Sequence, residues 1–244
     1  LKNYFHHRGR IRCYENFGIQ TSKIDRKIWS KNWFKIMNSR LLDHPSRNKK
    51  NVSVSLLPYK KISKLIKKKL PTHSSFQKGG EKEALKLLRS FLNQRADGYA
   101  IKMSNPMDSQ ISCSRLSPHI SHGSISLKFI YQTLMKEITK SNFKKDLISF
   151  KKRLHWHCHF IQKLQTEPEL EFKSMHSMCD DLRDNIDSEL IEKWIKGETG
   201  FPFLDACLIF LRKNGWINFR MRAMIMSFAS YNLWQPWQST SPLL

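Results

Sequence analysis

Hydrophobic residues recur at helical spacing through the second half of the chain. Leu85, Leu88 and Leu92 follow one another at intervals of three or four residues, which places their side chains along one face of an α-helix. A second set has the same spacing and consists of Leu127, Ile130, Tyr131, Leu134 and Ile138. Strand-like alternation of apolar and polar residues is nearly absent after residue 81. The pattern therefore predicts an all-α fold for residues 81–244.

Start and stop signals delimit two further helices. One is predicted over residues 145–164 and ends before Pro168, because a proline disfavours helical conformation in the residue before it. Another is predicted over residues 203–213, and the pair Asn214-Gly215 that follows it is typical of a helix C-terminus.

The first 80 residues have a different pattern. Residues 11–14 alternate as a short strand would, and residues 28–37 have helical spacing. Residues 46–80 are rich in Lys, Ser and Asn and contain two prolines, a composition typical of an inter-domain linker. The lysine-rich run at residues 60–69 fits a solvated connector, and it also fits a nuclear-localisation or DNA-tracking segment. The predicted divisions are therefore residues 1–45, 46–80 and 81–244.

The charge of the chain favours a polyanionic partner. The formal net charge is +23, and so basic a surface attracts nucleic acid through phosphate contacts and counterion release. The same lysines could form a solvated face or reflect an AT-rich genome. No apolar run approaches the roughly 18 to 20 residues that span a bilayer, and no secretory signal opens the chain. We therefore expect a cytoplasmic protein without a membrane partner.

The segment Cys113-Ser114-Arg115-Leu116-Ser117-Pro118 suits a phosphate group. It places two hydroxyls and an arginine in a tight turn before a helix, where free N–H groups can also bind an anion. Ser-Pro before a helix is also a common capping sequence, so the segment alone leaves both interpretations open.

Four motifs in the same order resemble the photolyase and cryptochrome flavoproteins. The C-S-R-L-S-P segment at residues 113–118 is similar to the T-S-x-L-S-P of that family, and Trp156 falls where the family has its W-R-E-F stretch. Residues 194–206 are similar to W-x-x-G-x-T-G-x-P-x-x-D-A, and residues 215–222 to G-W-x-x-x-R-x-R. The resemblance implies a helical FAD-binding domain, preceded at residues 1–45 by the end of an α/β antenna domain.

The resemblance implies FAD as the cofactor. The residues that it places around the FAD phosphates are Tyr99, Ser114, Arg115, Leu116 and Ser117. It places Arg222 against the edge of the isoalloxazine ring. Trp194 and Leu204 also fit a packed core, and Asp205 and Trp216 are either structural residues or neighbours of the flavin.

The function implied by the resemblance is blue-light-driven DNA repair, in which reduced FAD passes an electron to a flipped-out pyrimidine dimer. The implied catalytic residues are Trp156, which would stack on the dimer, and Trp237, which would be the middle tryptophan of an electron-transfer chain. Trp237 also fits an ordinary packing role. The implied DNA contacts are Trp156, Arg153 and His157. The alternative within the family is a cryptochrome photoreceptor without repair activity.

The chain departs from the family pattern at several positions. Arg153 stands where the family has the Glu that contacts the dimer, Cys113 replaces a Thr, and the family Asn of W-x-H-N-R is displaced by Phe219. The family's acidic D-x-D segment and its flavin-facing Asn would follow Leu244, so we expect the FAD-binding domain to be incomplete at its C-terminus. The altered contacts favour the photoreceptor alternative.

Metal and disulfide chemistry find little support in the sequence. His155 and His159 have the i, i+4 spacing of zinc ligands, but no Glu lies between them and no third ligand is evident. The five cysteines form no C-x-x-C pair. We therefore expect no metal, and a monomer. A third hypothesis, a cofactor-free basic helical protein that binds nucleic acid, explains the charge but not the ordered motifs.

Overall fold

The computed structural model describes residues 16–21, 25–42 and 76–244, and within these ranges every regular element is a helix. The predicted all-α class is therefore confirmed. The predicted strand at residues 11–14 and the greater part of the predicted linker lie outside the described residues. None of the described helices has the length and hydropathy needed to cross a membrane.

The chain divides into two compact units. Among the described residues, the first unit comprises residues 16–39 and 79–184, and the second comprises residues 40–42, 76–78 and 185–244. The helices of the first unit are α1 (Arg26–Asn38), α2 (Glu81–Ser90), α3 (Tyr99–Lys102), α4 (Ser109–Ser112), α5 (Ser117–Ser121), α6 (Leu127–Ile138) and α7 (Lys144–Thr166). A π-helix at Phe91–Arg95 continues α2, and 3-10 turns occur at Pro168–Glu171 and Ser177–Cys179.

The core of the first unit is built on one face of α7. The residues of this face are Leu147, Phe150, Leu154 and Cys158, spaced by three or four and all buried. They pack in one cluster with Leu88 of α2 and with Ile130 and Leu134 of α6. The predicted apolar sets are thus confirmed as core-facing. Observed bounds of Lys144–Thr166 agree with the predicted helix over residues 145–164.

Helix α1 packs into this same core, although the sequence assigned it to a preceding domain. Trp29, Trp33 and Met37 recur every four residues and are buried. The Trp33 ring contacts Tyr131 of α6 and His155 of α7, with ring centroids 5.4 and 4.9 Å apart. Burying two indoles on one face favours this docking because large aromatic side chains lose the most water-exposed area. Helix α1 therefore shares the core of the first unit, and the domain boundaries at residues 45 and 80 remain predictions.

The second unit is a smaller helical cluster. Its helices are α8 (Ser188–Lys196), α9 (Pro202–Asn214), α10 (Phe219–Ser227) and α11 (Trp237–Thr240), with a π-helix at Phe228–Asn232 and a 3-10 turn at Ser241–Leu243. The core centres on Trp194, Leu208 and Ile225, all almost fully buried. Gly215 has φ +63° and ends α9 at the predicted stop, in the left-handed conformation that glycine adopts most readily.

Three histidines of α7 hold the N-terminal residues of the first unit. The His155 ring stacks on Phe34 with centroids 5.3 Å apart, and its Nε2 lies 3.0 Å from the Ser30 hydroxyl. His159 packs against Trp29 at 5.6 Å, and His157 against Phe17 at 5.4 Å. Burial lowers the pKa of all three imidazoles.

Nearby positive charges reinforce this effect at two of the three histidines. The pKa of His155 is lowered further by His159 and Arg26, and that of His159 by Arg26 and Lys163. The folded protein therefore keeps these rings neutral at pH values where the unfolded chain already binds protons.

We predict that the free energy of unfolding falls as the pH drops below about 6.5, the usual pKa of histidine. Below this pH the unfolded chain binds more protons than the folded protein, so acid favours unfolding. Above it the histidines are neutral in both states, and their contribution to stability is fully present. Denaturant unfolding at a series of pH values measures the slope. In His155→Phe the slope should be shallower than in wild type. An equal slope in His155→Phe and wild type would contradict the assignment.

Candidate functional site

The predicted phosphate segment forms a loop between α4 and α5 in the first unit. Arg115 has a left-handed backbone with φ +59°, and Leu116 follows with φ −87° and ψ −13°. A left-handed residue followed by a right-handed one turns successive backbone N–H groups toward a common side, which makes a concavity for an anion. Leu116 is buried and anchors the loop, while Ser117 is exposed. The backbone thus fits a phosphate ligand.

The charges around the loop also fit an anion. Burial raises the pKa of the Cys113 thiol to about 11, and the positive charges of Arg115, Arg95 and Arg153 oppose this rise. Three guanidinium groups therefore lie within electrostatic reach of Cys113. The thiol stays protonated at neutral pH, so the cysteine that replaces the family threonine adds no negative charge to repel a phosphate.

Tyr99 lies beside this loop but inside the core. Its ring is 6% exposed and packs edge-on against Phe91 and Phe150, with centroids 5.4 and 5.9 Å away. Burial raises the pKa of its hydroxyl. Asp146 of α7 fixes the start of α3 by accepting hydrogen bonds from the N–H groups of Gly98 (3.2 Å) and Ala100 (2.7 Å). Phosphate contact by Tyr99 remains a prediction.

The outer face of α7 carries the predicted lesion-contacting residues. Trp156 is 46% exposed, and Phe160 lies one turn further on with its ring centroid 5.5 Å away. Arg153 is exposed one turn before Trp156. His157 is directed instead to Phe17 and is half-buried. Arg153 and Trp156 are thus available on the surface of the first unit, whereas most of the His157 ring is used in packing.

The two remaining predicted site residues belong to the second unit. Arg222 is half-buried on α10, where burial lowers its pKa and its Nη1 donates to the backbone oxygen of Leu244 at 3.0 Å. Trp237 is the first residue of α11 and is partly buried. Their roles toward the flavin and in electron transfer remain predictions.

The W-x-x-G-x-T-G motif has a structural explanation in the second unit. The Asp205 carboxylate accepts hydrogen bonds from Thr199 N (3.0 Å), Thr199 Oγ1 (2.6 Å) and Gly200 N (3.0 Å). Burial raises the pKa of this carboxyl, but the hydrogen bonds from Thr199 and Gly200 outweigh that effect and hold the pKa below its usual range. Gly197 ends α8 at φ +75°, where an added Cβ would lie 2.9 Å from Ile209. Asp205 therefore fastens the turn between α8 and α9.

Two positioning residues, Arg95 and Asp146, were missed by the sequence reasoning. The backbone partners of Arg95 are 8 to 19 residues away along the chain, and those of Asp146 are 46 to 48 residues away. A contact between a side chain and a distant backbone group leaves no periodic signal in one sequence. Within the described part of the chain, no three His, Cys, Asp or Glu side chains form a group suited to a metal ion.

The comparisons with known proteins agree with the helical fold and with FAD as the cofactor. Residues 150–244 match the family described as the FAD binding domain of DNA photolyase. A deoxyribodipyrimidine photo-lyase of Alkalihalophilus pseudofirmus is 30% identical over 159 residues, which are 65% of this chain and 32% of that protein. Cryptochrome-2 of Gallus gallus is 30% identical over 166 residues, which are 66% of this chain and 28% of that protein.

A solved structure shows the same fold. The bacterial class III photolyase from Agrobacterium tumefaciens superposes with a TM-score of 0.62 at 27% identity, covering 67% of this chain and 33% of that one. The fold and the matched domain define the class, a helical domain of the FAD-binding type. In its helical domain the chain matches the photolyase/cryptochrome family, and it spans about a third of the length of the relatives that it matches. The predicted family and its cofactor, FAD, are confirmed at the level of the domain.

We predict that Asp205→Ala destabilises the protein by about 1 kcal/mol, because the part-buried N–H and O–H groups of Thr199 and the exposed N–H of Gly200 lose a charged acceptor. Chemical denaturation measures the loss. The matched control is Glu192→Ala, which removes an exposed ion pair with Lys196 and should change stability little. Equal stabilities of Asp205→Ala and wild type would show that the carboxylate does not hold the turn.

Proposed function

We propose that this chain forms the FAD-binding part of a light-driven DNA repair flavoprotein. The observation that carries the proposal is the loop at residues 113–117, with its left-handed residue and the Arg95 guanidinium bound to the carbonyl groups of Cys113 and Ser114. It stands in a chain whose residues 150–244 match the FAD binding domain of DNA photolyase. When bound, reduced and excited by light, FAD supplies an electron donor for a pyrimidine dimer. The residues of the chain bind and orient the cofactor and hold the DNA.

The loop is the proposed seat of the FAD pyrophosphate. Ser114 and Ser117 offer hydroxyl groups, and Arg115 offers a charge that can pair with phosphate oxygens. The side chain of Leu116 is buried, so its proposed contribution is its backbone N–H, which donates to Ser114 Oγ at 3.4 Å and would turn to the phosphate instead. The rest of the proposed FAD-binding set is Tyr99 and Arg222.

The outer face of α7 is the proposed DNA-contacting surface. Trp156 presents an exposed indole that can stack on an extruded base, and base–aromatic stacking of this kind is worth about 1–3 kcal/mol per base. The basic side chains along the same helix include Lys144, Lys145, Lys152 and Arg153, all exposed. They can hold the phosphate backbone on either side of the lesion by charge. We expect His157 to contribute less to DNA binding than Trp156 and Arg153, because its ring packs against Phe17.

Trp237 is the proposed electron-transfer residue of the second unit. The Trp237 indole is partly buried, so one side of the ring packs in the protein while the other is accessible to an electron donor in solution. Its proposed role is to return electrons to an oxidised cofactor, whereas the proposed role of Trp156 is stacking on the lesion.

One observation favours a cryptochrome-type photoreceptor as the second candidate. Arg153 stands one turn before Trp156 where the family resemblance calls for a Glu, so a carboxylate that could contact the dimer is replaced by a cation. The relatives also include cryptochromes at the same identity as the photolyase. The photoreceptor shares the FAD and the tryptophans but splits no dimer.

A repair assay separates the two candidates. The protein is loaded with FAD, reduced and mixed with an oligonucleotide that carries thymine dimers, and the restored thymines are counted after blue light and in the dark. Repair under blue light alone is the expected result. Bound, reduced FAD without repair would favour the photoreceptor, and failure to bind FAD would contradict both candidates.

We predict that Trp156→Ala weakens binding to dimer-containing DNA about tenfold, since one stacked aromatic ring is lost. Affinity for undamaged duplex should change little, because its contacts are electrostatic. Fluorescence anisotropy with matched damaged and undamaged oligonucleotides measures both affinities. Trp156→Phe keeps an aromatic ring and is the control that should retain most of the preference. A full preference in Trp156→Ala would rule out stacking by this residue.

A further inference from the structure

The guanidinium of Arg95 is bound by the end of α2 and by residues 111–114, at the start of the phosphate loop. Its Nε donates to Ser90 Oγ (3.0 Å), and its Nη2 donates to Leu87 O (2.9 Å) and Ser114 O (3.4 Å). Its Nη1 donates to Ile111 O (2.8 Å) and to Cys113 O. All five N–H donors of the side chain are therefore used.

These five bonds connect the end of α2 to the loop. Two of the acceptors, on Leu87 and Ser90, belong to α2. The other three belong to residues 111, 113 and 114, which directly precede Arg115, the residue with φ +59°. A left-handed non-glycine residue costs free energy and persists only where its surroundings determine it. Holding the carbonyl groups of Cys113 and Ser114 on one side restrains the peptide planes that precede Arg115.

The π-helix at Phe91–Arg95 is what brings Arg95 to this position. The N–H of Ala96 bonds the carbonyl of Phe91 at 2.9 Å, one residue further along than in an α-helix. This wider turn shifts the direction of the side chain at its end, and such π-turns occur frequently at functional sites. The guanidinium also lies 5.7 Å from the centre of the Phe91 ring.

The positive charge of Arg95 is not neutralised by these contacts. None of the five acceptors is a carboxylate, since four are backbone carbonyls and one is a serine hydroxyl. Half-burial reduces screening by water, so the charge acts on a nearby anion more strongly than an exposed one would. The side chain can therefore shape the loop and attract a phosphate at the same time.

We propose that Arg95 is a positioning residue for the FAD pyrophosphate: it holds the loop at residues 113–117 in its anion-binding conformation and contributes an unneutralised positive charge beside it. This inference rests on the proposed function of the loop and adds a residue outside the motif. Arg95 need not touch the cofactor, because its effect passes through the carbonyl groups that it binds.

The test compares Arg95→Lys with Arg89→Lys in the 244-residue chain. Lysine keeps the charge but has three donors on one atom and cannot span the five acceptors. Arg89 is exposed on α2 and is the matched control. The dissociation constants of FAD and of ADP, which carries the two phosphates without the isoalloxazine ring, are measured by titration well below the melting temperature of each variant.

The expected result is a rise of at least about tenfold in both dissociation constants for Arg95→Lys, as the loss of two or more charged hydrogen bonds implies. Hydrogen exchange of the amides at residues 113–117 should become faster in the unliganded variant, while exchange at residues 188–214 stays the same. Arg89→Lys should match wild type in every measurement. These local effects distinguish positioning of the loop from general loss of structure.

The other outcomes of the titration separate this inference from the proposed function. If wild type and Arg95→Lys bind FAD equally, the inference is overturned and the proposed function stands. If wild type binds no FAD, the proposed function is overturned and this inference with it. If Arg95→Lys does not fold, Ser90→Ala replaces it, since it removes the acceptor of Nε together with a bond from the Ser90 hydroxyl to Leu87 O (3.1 Å) within α2. Ser90→Ala should weaken FAD binding by a smaller factor, and wild-type affinity in that variant would overturn the inference.

Discussion

The burial of one face of α7 is the interaction on which the first unit depends. Leu147, Phe150 and Leu154 lie in the core cluster with residues of α1, α2 and α6. The same helix supplies Asp146, which caps α3, and presents Trp156 outward. Because an α-helix is rigid over this length, fixing its inner face also fixes where its outer residues lie. Core packing and site geometry therefore have one common cause.

Positive charge in the candidate site lies at the loop whose backbone conformation suits an anion. The loop at residues 113–117 has a left-handed residue and three nearby guanidinium groups, and Cys113 stays a neutral thiol. An anion bound there would gain from both the oriented N–H groups and the charges. The net charge of +23 favours binding of any nucleic acid, whereas the backbone conformation of this loop favours a single bound phosphate group.

Periodic features could be predicted from the sequence, and contacts between distant segments could not. The spacing of Leu127, Ile130 and Leu134 predicted α6, and Asn214-Gly215 predicted the end of α9, since both depend on neighbouring residues alone. The core position of α1 depends on α6 and α7 through Trp33, which no local pattern reveals. Arg95 was missed for the same reason. Its helical position gave no sign of its carbonyl partners.

The most direct test of the account is the visible absorption spectrum of the purified chain after incubation with FAD and removal of free cofactor. The account predicts that the protein retains FAD and shows flavin absorption bands that differ in position or fine structure from those of free FAD, because the loop binds the pyrophosphate. A variant with Arg115→Ala should retain less flavin under the same conditions. A colourless protein that cannot be loaded with FAD would contradict the account and favour a basic helical protein that binds nucleic acid without a cofactor.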